Sequence, residues 1–406
     1  MEKRNSDLGY LFFIPSFYGS LMWGFWLFAF WMRLLKLDEP SMSSNFIFAL
    51  ALVFYLLSLQ RNSGRYRDYF DELLRTPVSS RQNIIRGVFF KYLLVFFYLV
   101  GFIGILIYVS DFSKFFGNAS LFISTYLNEA YKIRWEQMTS KSIGTQLSYF
   151  GWVGIALTIP AVKEKSLSPL WLGVAVLEFS GNFLFVDRTR PFWIVFTSAL
   201  MLLPFSRKIS FSKISKIFLV SLIVGVVFFT ALGSFMGRYF DERRFSDSVL
   251  PAGIQPLFFY GTSGFAYFNR IVETEGDPSF IPSRTIYPLM KLLSSLGLAD
   301  DPPSQINMFY KVPYPTNVGT FLEPFYRDGG VFFAITGMFI YSFVFDWLAF
   351  LFLRSKNKLI MFAWANICFV TFMSFFTPKF SNTPFWIFTL LAFWRLAGSS
   401  ILSAFK

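Results

Sequence analysis

LFFIPSFYGSLMWGFWLFAF, residues 11–30, carries no charged side chain and reads as one crossing of a lipid bilayer. A crossing needs roughly 20 apolar residues, and this run supplies them. It is long, aromatic and without a small-residue cleavage site, so it is expected to be a retained span and not a signal peptide. Working outward, further apolar runs give about ten expected spans: 9–32, 44–60, 86–109, 144–162, 167–186, 191–206, 217–236, 329–353, 359–376 and 384–402. Composition agrees. Of 406 residues 54% are hydrophobic and 15% charged, whereas soluble domains carry about 25% charged residues. The expected fold class is therefore an all-α polytopic membrane protein, with residues 1–406 as a single integral membrane domain. Nucleic-acid binders, disordered scaffolds and disulfide-stapled secreted domains are excluded as readings of the whole chain, and no internal repeat is present.

Charge sets the expected orientation. With the N-terminus in the cytoplasm and the spans alternating, the inside segments hold eighteen basic residues, among them Arg61, Arg65, Arg67, Arg75, Lys163, Lys165, Arg354 and Lys358, against six acidic ones. That net of +12 accounts for nearly all of the chain's +13. The basic balance is thus a positive-inside signature and does not imply an acidic partner. Both termini are expected in the cytoplasm. The opposite face then carries residues 110–142, the short hinge 186–191 and one long loop, 237–328, with eight basic and ten acidic residues. Any chemistry is expected on that outer face.

Two absences narrow the chemistry. The sequence has no His and one Cys, Cys368, inside an apolar stretch. Zinc sites, Ser–His and Cys–His nucleophiles and cysteine redox work are excluded. Acid–base groups must come from Asp, Glu, Lys or Tyr, and neither a metal nor a cofactor is expected. Asp38 and Glu39 form an acidic pair, but their loop of about ten residues is far too short for a metal-dependent transferase domain.

Arginine is concentrated on the outer face: Arg134, Arg188, Arg190, Arg238, Arg243, Arg244 and Arg327. A planar guanidinium binds phosphate through two parallel hydrogen bonds and gives up its water more readily than an ammonium. Two expected helix N-termini point the same way, one after Thr189-Arg190-Pro191 and one after Arg327-Asp328-Gly329-Gly330. Their unpaired N–H groups suit an anion. The plain alternative is that these arginines are interfacial anchors, Asp328 an N-cap and the glycines a close helix contact. Asp187, Glu323 and Asp328 are the candidate catalytic carboxylates, with Glu136, Asp241 and Glu242 on the same face; the residues alone do not choose between orienting an arginine and acting as a base. Glu178 and Asp346 fall inside spans and are expected to be buried packing partners.

The stretch YPTNVGTFLEPFYRDGGVFFAITGMF, residues 314–339, resembles the segment that closes the large periplasmic loop of bacterial oligosaccharide repeat-unit polymerases, the Wzy family of O-antigen and polysaccharide polymerases. Asn317, Thr320, Tyr326, Asp328 and Gly329 occupy the family's Asn, Thr, aromatic and Asp-Gly places. DRTRPFWIVF resembles the family's Thr-Arg start of a span at Thr189 and Arg190, and GRYF its Arg-Tyr pair at Arg238 and Tyr239. NEAYKIRWEQ, with Arg134, resembles the first large outer loop. Arg327 departs from the pattern, standing where the family more often has a neutral or apolar residue.

The resemblance implies an architecture like that of the O-antigen polymerases and ligases (GT-C-like), in the bacterial inner membrane with its active site facing the periplasm. It implies an undecaprenyl-diphosphate-linked oligosaccharide donor and a second lipid-linked unit as acceptor. The partners are then the bilayer, a repeat-unit flippase and a chain-length regulator, and no nucleic acid. Arg134, Arg188, Arg190, Arg238, Tyr239, Asn317, Thr320, Tyr326 and Arg327 become the expected substrate-binding residues. An O-antigen ligase acting on lipid A–core is the second reading, disfavoured by the absence of His; a lipid-linked oligosaccharide flippase is the third, disfavoured by the absence of repeats.

Overall fold

In the computed structural model of the chain, the residues described are 8–75, 88–115, 117–118, 120, 124–125, 142–185, 187, 189–204, 212, 215–216, 219, 223, 248–251, 254–274, 278–305, 307–355 and 357–404. Pro15, whose missing N–H costs nothing at a helix start, opens α1, Pro15–Trp31. The chain turns through Arg33, at φ +52, into α2, Met42–Arg75. At 34 residues α2 is about 50 Å long, well beyond a hydrocarbon core of about 30 Å. Its charged last third continues as helix because Tyr66, Tyr69, Phe70 and Leu73 keep one face buried.

There follow α3, Val88–Phe115; a short helix, Ile143–Leu147; α4, Tyr149–Lys163; α5, Leu170–Gly181; and α6, Thr189–Met201. Next come α7, Gln255–Thr274; α8, Tyr287–Ser295; and a small antiparallel ladder of β1, Tyr310–Lys311, with β2, Pro315–Thr316. The chain ends in α9, Leu322–Phe339; a π-helical turn, Ile340–Val344; α10, Phe345–Arg354; α11, Lys358–Phe372; and α12, Thr383–Ala404.

The hub is α11, apolar on every side and buried at every residue, as a helix without a polar face must be. α1, α4, α6, α10 and α12 surround it. Aromatic rings fill the contacts: Trp364 stacks on Phe13 at 5.6 Å and Phe369 on Trp193 at 4.7 Å. A second contact is built from glycine. A Cβ at Gly104 would collide with the backbone at Ser148, and one at Gly144 with Gly104 and Tyr108, so α3 and the 143–148 segment meet backbone to backbone.

Among the described residues, four helical stretches are long and apolar enough to cross a membrane: Met42–Arg75, Phe90–Phe115, Leu322–Arg354 and Lys358–Phe375. Leu170–Phe185 and Thr383–Ala397 are apolar but shorter. The chain is therefore mostly helical, with a membrane-type core. The expected span 217–236 lies almost wholly outside the described residues.

The two expected intramembrane acids have different surroundings. Asp346 accepts from Ser16 N at 2.8 Å, Ser16 Oγ and Ser58 Oγ at 2.6 Å each, and Asn62 Nδ2 at 3.2 Å, pinning α1, α2 and α10 together. Glu178 is equally buried, yet neither carboxylate oxygen has a hydrogen-bond partner. It fills a notch that exists because residues 101 and 151 are glycines; a Cβ at either would collide with it.

The stretch expected to be one long loop contributes α7 to the bundle. Phe265 meets Trp23 edge-on at 5.1 Å and stacks on Phe30 at 5.7 Å, while Gly261 lets the Trp26 ring lie against the α7 backbone. The helix ends thereby sort into two groups. One gathers the C-terminal ends of α1 and α11 with α7 and the 33–41 turn; the other gathers the C-terminal part of α2 and the buried Lys358–Glu164 ion pair.

Candidate functional site

The first turns of α9, LEPFYRD, place Glu323 and Arg327 four residues apart on one helix face. Arg327 Nε lies 3.1 Å from Glu323 Oε1, and the two side chains are only 7% and 4% exposed. Each has a second support from a distant part of the chain. Arg327 Nη2 donates to Tyr267 Oη of α7 at 3.3 Å, and Tyr267 in turn donates to the carbonyl of Met308 at 3.0 Å. Asn307 Nδ2 donates to Glu323 Oε2 at 3.1 Å. Gly319 leaves the room: a Cβ there would press on the Glu323 side chain at 3.0–3.2 Å. Thr320 is buried beside them, its Oγ1 accepting from Leu322 N. Asn317 is half-buried between β2 and α9, and Tyr326 meets Phe268 edge-on at 5.4 Å.

Asp328 is a candidate catalytic carboxylate whose plain alternative is an N-cap for the helix after the glycines. Helix already runs from Leu322, and the glycines are a break inside it, Gly329 at φ −147 and Gly330 at φ 61. The Asp328 carboxylate reaches across to another segment. It accepts from Arg284 N at 3.0 and 3.1 Å and from Thr285 N at 2.8 Å, with Ser283 Oγ at 3.4 Å. It is a loop pin whose oxygens are already engaged.

The second cationic position is the start of α6. Asp187 Oδ1 accepts from Thr189 N at 2.9 Å, an N-cap-type bond that satisfies an otherwise orphan amide. Arg190 is 2% exposed. Its Nη1 donates to Ser148 Oγ at 2.8 Å and its guanidinium lies 3.9 Å from the Phe185 ring centre, 4.6 Å from Tyr149 and 5.5 Å from Trp152. The expected helix N-terminus is there, but the arginine beside it is folded into a cage of rings. Arg134, Arg188, Arg238 and Tyr239, with Glu136, Asp241, Glu242, Arg243 and Arg244, lie outside the described residues.

Arg190 and Arg327 are held by different parts of the chain, Arg190 from Ser148 and Arg327 from α9 and α7. A further buried cation, absent from the expected site residues, is Lys379. It sits in the turn between α11 and α12, nearly buried, with Nζ 5.9 Å from the ring centre of Trp193, one turn along α6 from Arg190. Its neighbour Phe380 stacks on Phe325 at 5.9 Å, beside the Glu323–Arg327 turn. Gln305 Nε2 donates to the carbonyl of Ser381, closing the same turn from the other side. The available signal was a lone lysine in a short, proline-flanked turn, TPKFSNTP, on the face whose basic and acidic residues nearly balance. Three buried cations and two buried carboxylates, Glu323 and the already engaged Asp328, thus share one end of the bundle. Such an arrangement can hold an anionic group and place a carboxylate beside it.

Of the acidic pair of the first turn, Glu39 pairs locally with Arg33, and the backbone N–H of Asp38 donates to Val312 O at 3.3 Å. Among the described residues no group of three or more His, Cys, Asp or Glu side chains is placed to hold a metal ion. Comparison with known proteins gives no match: no family model, no curated protein and no solved structure is similar to this chain.

Proposed function

We propose that the chain is a polymerase joining undecaprenyl-diphosphate-linked oligosaccharide repeat units at the periplasmic face of a bacterial inner membrane, with about ten spans and both termini in the cytoplasm. The observation that carries the reading is the buried Glu323–Arg327 pair, supported from α7 and the 307–308 segment, at the end of the bundle that also holds Arg190 and Lys379. The motif resemblance over residues 314–339 falls on the same turn.

In this reading a hydroxyl of the acceptor's terminal sugar attacks the donor's anomeric carbon. The bond from that carbon to the diphosphate oxygen breaks, and undecaprenyl diphosphate leaves with the electron pair. Arg327 and Lys379 offset the charge that grows on the leaving group; fixed charges in a site closed to water do this without reorganising. The proton of the attacking hydroxyl goes to Glu323. Of the three candidate carboxylates it is the base, because Asp328 and Asp187 spend oxygens on backbone amides whereas Glu323 is supported by side chains. A lipid-embedded bundle suits a donor whose tail stays in the bilayer.

The test is glycan analysis of a deletion strain complemented with wild type or Glu323→Gln. The deletion should leave a single repeat unit on its lipid, and Glu323→Gln, present in the membrane at normal level, should fail to lengthen it. Full-length polymer from Glu323→Gln removes the carboxylate from the mechanism. Long glycan stranded on undecaprenyl diphosphate in the deletion strain replaces the polymerase by the ligase.

A further inference from the structure

Asp328 fixes a second segment besides its own helix. Its carbonyl accepts from Phe280 N at 2.7 Å while its carboxylate holds Arg284 and Thr285, so residues 280–285 are tied to the perimeter of the bundle at the glycine break of α9. There Phe280 takes φ +56, a left-handed conformation that a bulky residue rarely adopts. Its ring touches Phe333 edge-on at 6.3 Å and is nevertheless 63% exposed, with Ile281 exposed beside it. In water the exposure of this ring is unfavourable. The same perimeter carries Val331, Phe332 and Phe339, exposed along one of the four stretches able to cross a membrane.

α8 follows within a few residues. None of its residues is buried. Leu289, Leu292 and Leu296 recur at i, i+3 and i+7, which puts them on one face, and all are exposed, as is Leu298 beyond the helix. Lys291 and Ser294 lie on the opposite face, where both bond Asp301.

We infer that α8 and the Phe280–Ile281 turn lie in the surface of the bilayer, their apolar face sunk about 5–10 Å into the boundary between headgroups and acyl chains, as interfacial helices are. Lipid is the occupant because the patch runs, through the Phe280–Phe333 contact, into the exposed apolar stripe of α9. The strained, exposed Phe280 then has a place for its ring. The inference stands independently of the polymerase reading.

The test uses full-length protein, with Cys368→Ala as background, in vesicles of phosphatidylcholine and phosphatidylglycerol. An environment-sensitive fluorophore is attached at Leu292→Cys and, as control, at Asp300→Cys. Lipid bearing an acyl-chain nitroxide should quench the Leu292 probe about threefold more than the Asp300 probe, and aqueous iodide should show the reverse order. Because no residue of α8 is buried, Leu292→Cys should leave Tm in detergent unchanged. Equal iodide quenching at both positions overturns the inference. So does a Leu292 probe reached by neither quencher, which would mean that protein, from this chain or a second copy, covers the face.

Discussion

Arg190 and Arg327 are both buried guanidiniums, but their surroundings differ. Arg327 is held by a carboxylate and a phenol, Glu323 and Tyr267, whereas Arg190 is held by one hydroxyl, one carbonyl and three rings. Lysine keeps the charge and loses the planar fork that both sites use. Arg327→Lys should lower polymer formation by about a hundredfold, the scale of a lost charge stabiliser. Arg190→Lys should act chiefly on stability, lowering it by about 1–2 kcal/mol through lost stacking. Melting in detergent beside polymer yield separates the two; Arg190→Lys that melts normally but makes no polymer would place Arg190 on the substrate. The intramembrane acids teach a parallel lesson, since Glu178 and Asp346 look alike in the sequence, each one acid in an apolar run. Only the fold shows that the Asp346 carboxylate is bonded by Ser16, Ser58 and Asn62 while the Glu178 carboxylate has no hydrogen-bond partner. Asp346→Ala should therefore cost about 3 kcal/mol or more, since it removes the acceptor of four buried donors. Glu178→Gln keeps the shape and removes a carboxyl whose ionised form is costly to bury, so thermal melting should show stability held or raised.

Among the elements, the glycine break in α9 sets the position of the site. Gly330, at φ +61 and ψ −149, sits in a region that side chains effectively bar. A Cβ there would meet only Pro278 at an ordinary 3.4 Å, so the obstacle is the backbone itself. Gly330→Ala should cost about 1–3 kcal/mol and loosen the segment pinned by Asp328, read as faster proteolysis at Arg284; an unchanged Tm and cleavage rate would mean that the break is not needed. The Asp-Gly-Gly signal was legible in the sequence as a helix start; a helix does resume after Gly330, but a short helical stretch from Leu322 to Asp328 precedes the break. α7 was not legible as part of the bundle. Its QPLFFYGTSGFAYFNR carries Gly, Ser and Thr where a span would carry Leu, and those small residues are what let Trp26 and its neighbours pack onto it. Lys379 escaped for a related reason: only the docking of α6 on α11 brings Trp193 beneath it. Lone hydropathy finds helices that face lipid and misses those whose partners are aromatic protein surfaces.

At the scale of the whole molecule, apolar content and charge asymmetry gave the membrane class directly, since neither depends on how helices pack. Which end of the bundle faces outward rests on charge alone. The helix ends sort so that Glu323, Arg327, Arg190 and Lys379 share one end with Ser248, whose Oγ donates to the carbonyl of Leu34. Arg61, Arg65, Arg67, Arg354 and the Lys358–Glu164 pair belong to the other. Basic residues stay on the cytoplasmic side, so the site end should be periplasmic. With Cys368→Ala as background, Val249→Cys should react with an impermeant thiol reagent on intact cells, because Val249 is exposed beside Ser248. Asp68→Cys, exposed on the charged third of α2, should react only after the cells are opened. The two positions lie at opposite ends of the bundle, so one result constrains the other. Labelling of Asp68→Cys alone in intact cells would invert the protein. Glu323 and Arg327 would then face the cytoplasm, a periplasmic polymerase would be untenable, and the same cations would have to serve a nucleotide-linked or phosphorylated substrate on the inner side.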